Sequence, residues 1–151
     1  MLALSIARSR LMKRYAFYLI GTLAPVLLGV LALRRALLVV EVTGASMEPT
    51  HRSGDRLLAV RGGRPGRGDV VLLRHPEAAS RPAGASEYLV KRVAAMPGDP
   101  VPDTVAPVAG AGVVPPGSCV VLGDSPDSVD SRTWGFVPCS DVAGRVLRSL
   151  G

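Results

Sequence analysis

Glycine and proline make up about one residue in four between residues 36 and 151, which contain twelve of the thirteen prolines and fifteen of the seventeen glycines. Both residue types interrupt helices, so this part of the chain cannot form long ones. Short apolar runs rich in Val and Leu lie between the breaks, and their lengths are typical of β-strands. The predicted strands are residues 37–42, 56–60, 69–73, 88–94, 119–122 and 142–147.

Short strands joined by Gly/Pro turns predict a mainly β fold, either a β-sandwich or an open barrel. We assign this fold to one domain of residues 36–151, because the chain length fits a single domain of ordinary size. Residues 97–117 combine Pro, Gly and Ala, and they are expected to form a long loop or irregular strands.

An uncharged, largely apolar run covers residues 15–33, between Arg14 and Arg34. As a helix, these residues would be roughly 28 Å long, close to the ~30 Å hydrocarbon thickness of a bilayer. A cleavable signal peptide is the competing interpretation, with an apolar core of about 7–15 residues that ends at small residues. The run here is longer and ends at Arg34 and Arg35, which favours a retained transmembrane signal anchor.

The formal net charge of +6 comes entirely from the first 35 residues, because residues 36–151 carry twelve basic and twelve acidic side chains. The positive-inside rule then predicts that residues 1–14 are cytoplasmic and that the body lies outside the cytoplasm, attached to the cell membrane. A neutral body with three aromatic residues lacks the charge and the stacking surface of a nucleic-acid binder. The lipid bilayer is therefore an expected partner, and nucleic acid is not.

Cys119 and Cys139 are the two cysteines of the chain. A disulfide between them is permitted outside the cytoplasm, and two buried free thiols are the alternative. The sequence has no cluster of Cys and His with metal-ligand spacing, so no metal and no cofactor are predicted.

Lys91 is the only lysine in residues 36–151, in a chain where sixteen of the eighteen basic residues are arginine. A buried ammonium group can lose its proton near neutral pH, whereas a guanidinium group stays charged. Lys91 lies in the largely apolar run 88–93, which would desolvate the amine and make it a candidate general base. The alternative is that an arginine-rich chain keeps an occasional lysine by chance.

Two further segments contain candidate catalytic residues. Ser46 lies in residues 42–50 (VTGASMEPT), between small residues and a Pro-containing turn. Small neighbours would let a substrate approach the hydroxyl closely, which makes Ser46 a candidate nucleophile. The alternative is an ordinary serine in a turn, which has the same local pattern. Residues 122–132 (LGDSPDSVDSR) hold three acids, three serines and one arginine, which indicates either a polar surface loop or a loop ordered by hydrogen bonds and an Asp–Arg pair. Trp134 and Phe136 follow directly and favour an anchored loop.

Together these segments resemble type I signal peptidases, the membrane-anchored serine proteases with a Ser/Lys dyad. The resemblance covers almost the whole chain and implies the family's β catalytic domain in a short form, similar to members from Gram-positive bacteria and to mitochondrial inner-membrane proteases. Its motifs are Gly-Ala-Ser46-Met-Glu-Pro-Thr, Gly54-Asp55, Arg67-Gly68-Asp69-Val-Val, Lys91-Arg92-Val93 with Pro97-Gly98-Asp99, and Gly123-Asp124 through Ser131-Arg132 and Gly135-Phe136-Val137-Pro138.

The resemblance implies roles for individual residues. Ser46 is the expected nucleophile and its backbone N–H the expected oxyanion donor, Lys91 is the expected general base, and Ser128 is expected to orient the lysine amine. The residues expected to support the site structurally are Asp124, Asp130 and Arg132. Those expected to line shallow pockets for small substrate side chains are Val42, Met47, Leu89 and Val90.

The chain also departs from the family pattern. Gly44 stands where some members have a serine whose hydroxyl completes the oxyanion hole. Ser125 replaces the asparagine of Gly-Asp-Asn, and the loop before Ser128 is one residue shorter than in bacterial housekeeping enzymes. Ser125 and Ser131 therefore remain alternatives to Ser128 as the residue that orients the lysine.

The predicted function is the removal of signal peptides from exported preproteins by cleavage after small residues, of the Ala-x-Ala type. Three alternatives remain open. The chain could be a maturation protease for one precursor, of the nickel superoxide dismutase type, or an inactive membrane-anchored scaffold of the same fold. A Ser-His-Asp triad would need His51 or His75, both of which we expect at the surface.

Overall fold

A computed structural model describes residues 21–75 and 86–150. The chain divides into two compact units, Met1–Ala36 and Leu37–Gly151. In the first unit, helix α1 covers residues 21–36, and most of its side chains are exposed. The predicted cytoplasmic residues 1–14 and residues 15–20 of the predicted span lie outside the described residues. Within the two described ranges, no helix combines the length and the apolarity that crossing a membrane requires.

The second unit is built on one seven-stranded sheet with the strand order β1-β2-β7-β3-β4-β5-β6. Neighbouring strands pair antiparallel. The strands are β1 (Leu37–Glu41), β2 (Arg56–Arg61), β3 (Val70–Arg74), β4 (Tyr88–Ala95), β5 (Ser118–Leu122), β6 (Val137–Pro138) and β7 (Val142–Ser149). The other elements among the described residues of this unit are two short helices, α2 (Ala106–Ala109) and α3 (Ser131–Trp134), and a 3-10 turn at Cys139–Asp141.

The central strands are buried on both faces, which explains their nearly continuous apolar sequences. In β3, Val71 and Leu73 belong to one apolar cluster, whereas Leu72 between them belongs to another. Successive side chains of a strand point to opposite faces, so the two clusters cover the two sides of the sheet. Strand β4 divides in the same way, with Val90 in one cluster and Val93 in the other.

The prediction of a mainly β fold is confirmed. The sheet is single and has β1 and β6 at its two ends, so the described strands match the open alternative and not a two-sheet sandwich. The six predicted strands each agree with an observed strand to within two residues. Strand β6 was not predicted, because two residues are too short to show an apolar pattern and one of them is Pro138.

The segment expected to be a long loop or irregular strands is more ordered than its composition suggests. Residues 97–117 contain helix α2 and an isolated bridge between Pro100 and Val113. Val105 and Val114 are almost fully buried and pack in a third apolar cluster with Val120 of β5. Valines that are widely spaced in sequence thus anchor this segment, and a pattern search over short windows does not detect them.

Candidate active site

Ser46 lies in the turn that follows β1 and is half-buried there. Two core residues hold this turn, because Val42 and Met47 belong to the same buried cluster. At its base, the Val42 N–H donates to the Asp55 carbonyl at 2.8 Å and the Gly54 N–H donates to the Val42 carbonyl at 2.9 Å. The buried side chains and these backbone bonds fix the turn, and Ser46 within it lines a cavity.

The backbone conformation of Gly44 explains why this chain has no serine at the position where some signal peptidases have one. Its φ angle of 90° lies in the left-handed region, which strongly favours glycine. A serine at this position would strain the backbone, so a hydroxyl donor here requires a differently shaped turn. The Gly44 N–H donates to the Ser53 hydroxyl at 3.4 Å.

Lys91 lies on β4, opposite Val71 of β3, and only 2% of it is exposed. Burial lowers the pKa of its amine from the usual 10.5, the nearby Asp130 carboxylate partly offsets this effect, and Arg132 adds to it. The amine Nζ donates to the Ser128 hydroxyl oxygen at 2.7 Å. A strand therefore carries an amine that burial favours in its neutral form, and a hydroxyl fixes the direction in which it points.

Ser128 belongs to an irregular segment that Asp130 organises. The fully buried Asp130 carboxylate accepts from the backbone N–H groups of Gly123 at 2.7 Å and of Arg132 at 3.0 Å. The Arg132 guanidinium also donates to it, at 3.0 Å from Nε and 2.7 Å from Nη2. Burial alone would raise the pKa of Asp130, but hydrogen bonds from Arg132, Gly123 and Ser128 outweigh it and hold that pKa below its usual value.

The other two serines of this segment have different partners. The Ser131 hydroxyl is buried and accepts from the Val121 N–H of β5 at 3.0 Å, at the start of α3. The Ser125 N–H donates to the Ser46 carbonyl at 3.1 Å, and the Ser125 carbonyl accepts from Arg132 Nη2 at 2.9 Å. Among the three candidates for orienting the lysine, Ser128 is the one whose hydroxyl bonds to Lys91.

Gly123 lies where the Ser46 turn and the Ser128 segment touch. A Cβ atom built at this position would collide with both the Ser128 side chain and the Ser46 carbonyl oxygen. The close approach therefore requires glycine, and it shows that Ser46 and Ser128 are held on either side of one backbone position. The sequence motif Gly123-Asp124 has its physical reason in this contact.

Asp124 forms an ion pair that the sequence analysis did not assign. Arg92, the neighbour of Lys91 on β4, donates to the two Asp124 carboxylate oxygens at 2.9 and 2.6 Å. This bond, together with one from Thr50, lowers the pKa of Asp124. Arg92 Nη1 also donates to the Gly68 carbonyl at 2.9 Å. Alternation along β4 places adjacent side chains on opposite faces, so Lys91 and Arg92 reach the same segment from two sides.

Ser46, Lys91 and Ser128 line one cavity of about 740 Å³. Of the four residues predicted to bind substrate, Leu89 lines it, while Val42, Met47 and Val90 lie in the buried cluster next to β1 and β4. His75, expected at the surface, is half-buried and also lines the cavity. The lining residues are Thr43, Gly44, Ala45, Ser46, His75, Leu89, Lys91, Ser125, Asp127, Ser128, Val129 and Trp134.

The cavity thus combines a serine hydroxyl, a buried amine and a second hydroxyl that positions the amine. These are the parts needed for nucleophilic attack with general-base assistance. Across residues 21–75 and 86–150, no group of three or more His, Cys, Asp or Glu side chains is placed to hold a metal ion.

Comparison with known proteins agrees with this combination of fold and site. The family model described as "Signal peptidase, peptidase S26" matches residues 15–104 and 101–150. The chain therefore belongs to the peptidase S26 signal peptidase family, as the order of its motifs predicted.

Individual relatives come from plants and cyanobacteria. The chain is 40% identical over 114 residues to the mitochondrial ATP-independent inner membrane protease subunit 1b of Arabidopsis thaliana, which covers 69% of this chain and 64% of the relative. It is 32% identical over 132 residues to signal peptidase I of Leptolyngbya laminosa, covering 70% and 64%. It is also 32% identical over 130 residues to the probable signal peptidase I-2 of Synechocystis, covering 70% and 59%. The chain thus spans less than two thirds of the length of each of these relatives.

Proposed function

We propose that this protein is a membrane-bound serine endopeptidase that removes signal peptides from exported preproteins with a Ser46/Lys91 dyad. The observation that carries the proposal is the buried Lys91 amine, hydrogen-bonded to Ser128 in a cavity that Ser46 also lines. A lysine kept away from solvent, with a pKa lowered by burial, is costly to fold and is most easily explained by a need for its neutral form.

In the proposed mechanism, the neutral Lys91 amine takes the proton of the Ser46 hydroxyl as its oxygen attacks the scissile carbonyl carbon. The Ser46 backbone N–H stabilises the oxyanion, and the lysine ammonium then donates its proton to the leaving amine. The resulting ester of Ser46 is hydrolysed by a water molecule that the lysine, neutral again, deprotonates. Ser128 accepts no proton in this scheme; it keeps the amine directed at the reacting groups.

The proposed substrates have small side chains at the positions before the cleaved bond, of the Ala-x-Ala type. Signal peptidases among the relatives support preproteins as the substrate class. The wall formed by Thr43, Gly44 and Ala45 carries only small side chains, which lets an extended substrate backbone lie close to Ser46.

We further propose that residues 15–33 anchor the enzyme in the membrane, with residues 1–14 in the cytoplasm and residues 36–151 on the other side. The charge distribution supports this orientation, since the net positive charge lies before residue 36. Confinement to the membrane surface raises the effective concentration of substrates that are themselves held in the bilayer by an apolar segment.

The test is cleavage of a purified secretory preprotein by the full chain in detergent and by two variants. Ser46→Ala and Lys91→Arg are both expected to reduce the cleavage rate to background, because the first lacks the nucleophile and the second keeps the charge but cannot act as a base. The matched controls are Ser140→Ala, at an exposed serine, and Lys13→Arg, the same exchange at the only other lysine. Both controls should cleave at the wild-type rate.

A Lys91→Arg variant that keeps its thermal midpoint and still cleaves would overturn the mechanism. The double variant His51→Ala/His75→Ala tests the triad alternative. Its kcat should stay within a few-fold of wild type, and a loss of more than a thousandfold in a folded protein would favour the triad. If wild type cleaves a single precursor and no other secretory preprotein, the dedicated maturation protease becomes the better description.

A further inference from the structure

The only two cysteines lie beside each other, outside the groups used in the proposed catalysis. Cys119 is on β5 and is 1% exposed, whereas Cys139 follows β6 and is half-buried. Both thiols are free, and a side-chain hydrogen bond joins them. Cys119 pairs with Val137 in the β5–β6 ladder, and the Cys139 N–H donates to the Gly117 carbonyl at 2.8 Å. The backbone thus holds the two cysteines on adjacent segments, and both side chains pack in one apolar cluster.

The position of this pair in the chain is as informative as its geometry. Between the two cysteines lies the whole segment that carries Asp124, Ser128, Asp130 and Arg132. The ladder that closes the segment has only two pairs, Ser118↔Pro138 and Cys119↔Val137. So short a ladder holds the two ends of the segment together weakly, and a covalent link at this point would close the loop at its base.

We propose that Cys119 and Cys139 are a disulfide-forming site, and that the disulfide constrains the segment that holds Ser128 against Lys91. The reaction requires an oxidant of the small-molecule disulfide class, such as glutathione disulfide, or a disulfide-bonded oxidoreductase. Closing the bond brings the two sulfurs to about 2.05 Å.

The two exchange steps balance as follows. The Cys139 thiolate attacks one sulfur of glutathione disulfide, which forms a protein–glutathione mixed disulfide and expels one glutathione thiolate. The Cys119 thiolate then attacks the Cys139 sulfur and expels the second glutathione thiolate. Two protein thiols are oxidised, one glutathione disulfide is reduced to two thiols, and the two protein protons end on the released glutathione or in solvent.

The more exposed Cys139 is the natural first attacker. Burial, together with the neighbouring Cys139 and Asp141, raises the pKa of Cys119 to about 12, so this thiol is a poor first attacker. The same burial shields the Cys119 side of the finished bond from reductants. Cys119 and Cys139 also pack in one apolar cluster with Leu89 and Trp134, both of which line the site cavity. The constraint therefore acts next to the proposed substrate cavity, although its formation does not depend on any catalytic activity.

The first test is chemical and uses the full chain in detergent. Wild-type protein is incubated with glutathione disulfide at pH 8.5, denatured without reductant and treated with N-ethylmaleimide. We expect no maleimide to be taken up, a monomeric mass two daltons below the reduced form, and a peptide linking residue 119 to residue 139. Reduced wild type should take up two maleimides, and Cys139→Ser should form no internal link. Two maleimides on oxidised wild type, or a disulfide-linked dimer, would overturn the proposal.

The second test measures whether the disulfide constrains the segment that holds Ser128. It compares oxidised with reduced wild type, so the result does not depend on the folding of a variant. Oxidation should raise the thermal midpoint by about 10 °C, as closure of a loop of this size predicts. Amide hydrogen exchange should slow in peptides covering residues 120–136 and stay unchanged in those covering residues 37–61. If the bond forms but exchange is equal in both states, or slows equally everywhere, the disulfide does not constrain the site segment and that part of the proposal is wrong.

Discussion

Lys91 and Ser128 share a hydrogen bond of 2.7 Å, yet the regions that carry them are held in opposite ways. Strand β4 pairs with β3 over five residues and with β5 on its other side, so the backbone ladder fixes the position of Lys91. The segment from Gly123 to Asp130 has no ladder. Besides backbone bonds such as the one from the Ser125 N–H to the Ser46 carbonyl, it is held by bonds to side chains, above all by the four that converge on the Asp130 carboxylate.

The two regions should therefore respond differently to single substitutions. A ladder survives most single side-chain changes because its bonds are between backbone groups. A loop held by one buried carboxylate fails when that carboxylate is changed, because each donor loses its partner in a buried place. We therefore expect a change of Lys91 on β4 to affect activity and leave the fold intact, and a change of Asp130 at the centre of the segment to affect both.

The largest effect on activity is expected from Lys91→Met. Removing the proposed general base should lower kcat/KM by about 10⁴-fold, whereas the free energy of unfolding should stay equal or rise, since methionine avoids the cost of burying an amine. The control is Arg148→Met, at an exposed position on β7. Chemical denaturation of both variants checks the comparison. An unfolded Lys91→Met protein would mean that the amine, and not the ladder, holds β4 in place.

Asp130→Asn is expected to have the largest effect on stability. The amide cannot accept all the bonds that the carboxylate accepts, and it leaves the Arg132 guanidinium without its charged partner, so unfolding should become easier by about 3 kcal/mol. The exposed Asp103→Asn should change stability by less than about 0.5 kcal/mol. Urea denaturation measures both variants. Equal, small effects would show that the segment has another anchor.

Ser128→Ala and Ser131→Ala separate the two roles that serines have within the segment. Loss of the Ser128 hydroxyl lets the Lys91 amine rotate, and we expect kcat to fall about 30-fold with little change in thermal midpoint. Loss of the Ser131 hydroxyl orphans the buried Val121 N–H, so stability should fall by about 1 kcal/mol. The reverse pattern, with kcat lost in Ser131→Ala and kept in Ser128→Ala, would reassign the positioning serine.

The smallest expected effect is a shift in the pH profile of activity. In the proposed mechanism only the neutral Lys91 amine acts as a base, so kcat/KM should fall about tenfold for each pH unit below its lowered pKa and level off above that pKa. Arg132 depresses the pKa of Lys91, so Arg132→Gln should move the rising limb to higher pH. Burial of this amine also makes stability increase with pH between the lowered pKa and 10.5, where the unfolded chain binds the extra proton. If the rising limb of the pH profile does not move in Arg132→Gln, the titration of Lys91 is not the cause of that limb.

The strands and the candidate base Lys91 could be predicted from sequence because their signals are local. Strand β3 is a run of apolar residues between turns, and Lys91 stands out as a lone lysine within such a run. The pair Arg92–Asp124 and the position of His75 could not be predicted in this way. Arg92 and Asp124 are 32 residues apart, and their contact exists because β4 pairs with β5 and the chain turns back at Gly123.

The order of strands likewise came only from the tertiary structure. Strand β7, last along the chain, lies between β2 and β3, and no local pattern specifies that insertion. The sequence by itself determined the mainly β class, the bounds of six strands, the family, and Ser46 and Lys91 as the residues to examine. Tertiary structure decided that Ser128, and not Ser125 or Ser131, bonds to the amine, and that Cys119 touches Cys139. Strand periodicity depends on neighbouring residues, whereas contacts between residues far apart in sequence depend on how the whole sheet is assembled.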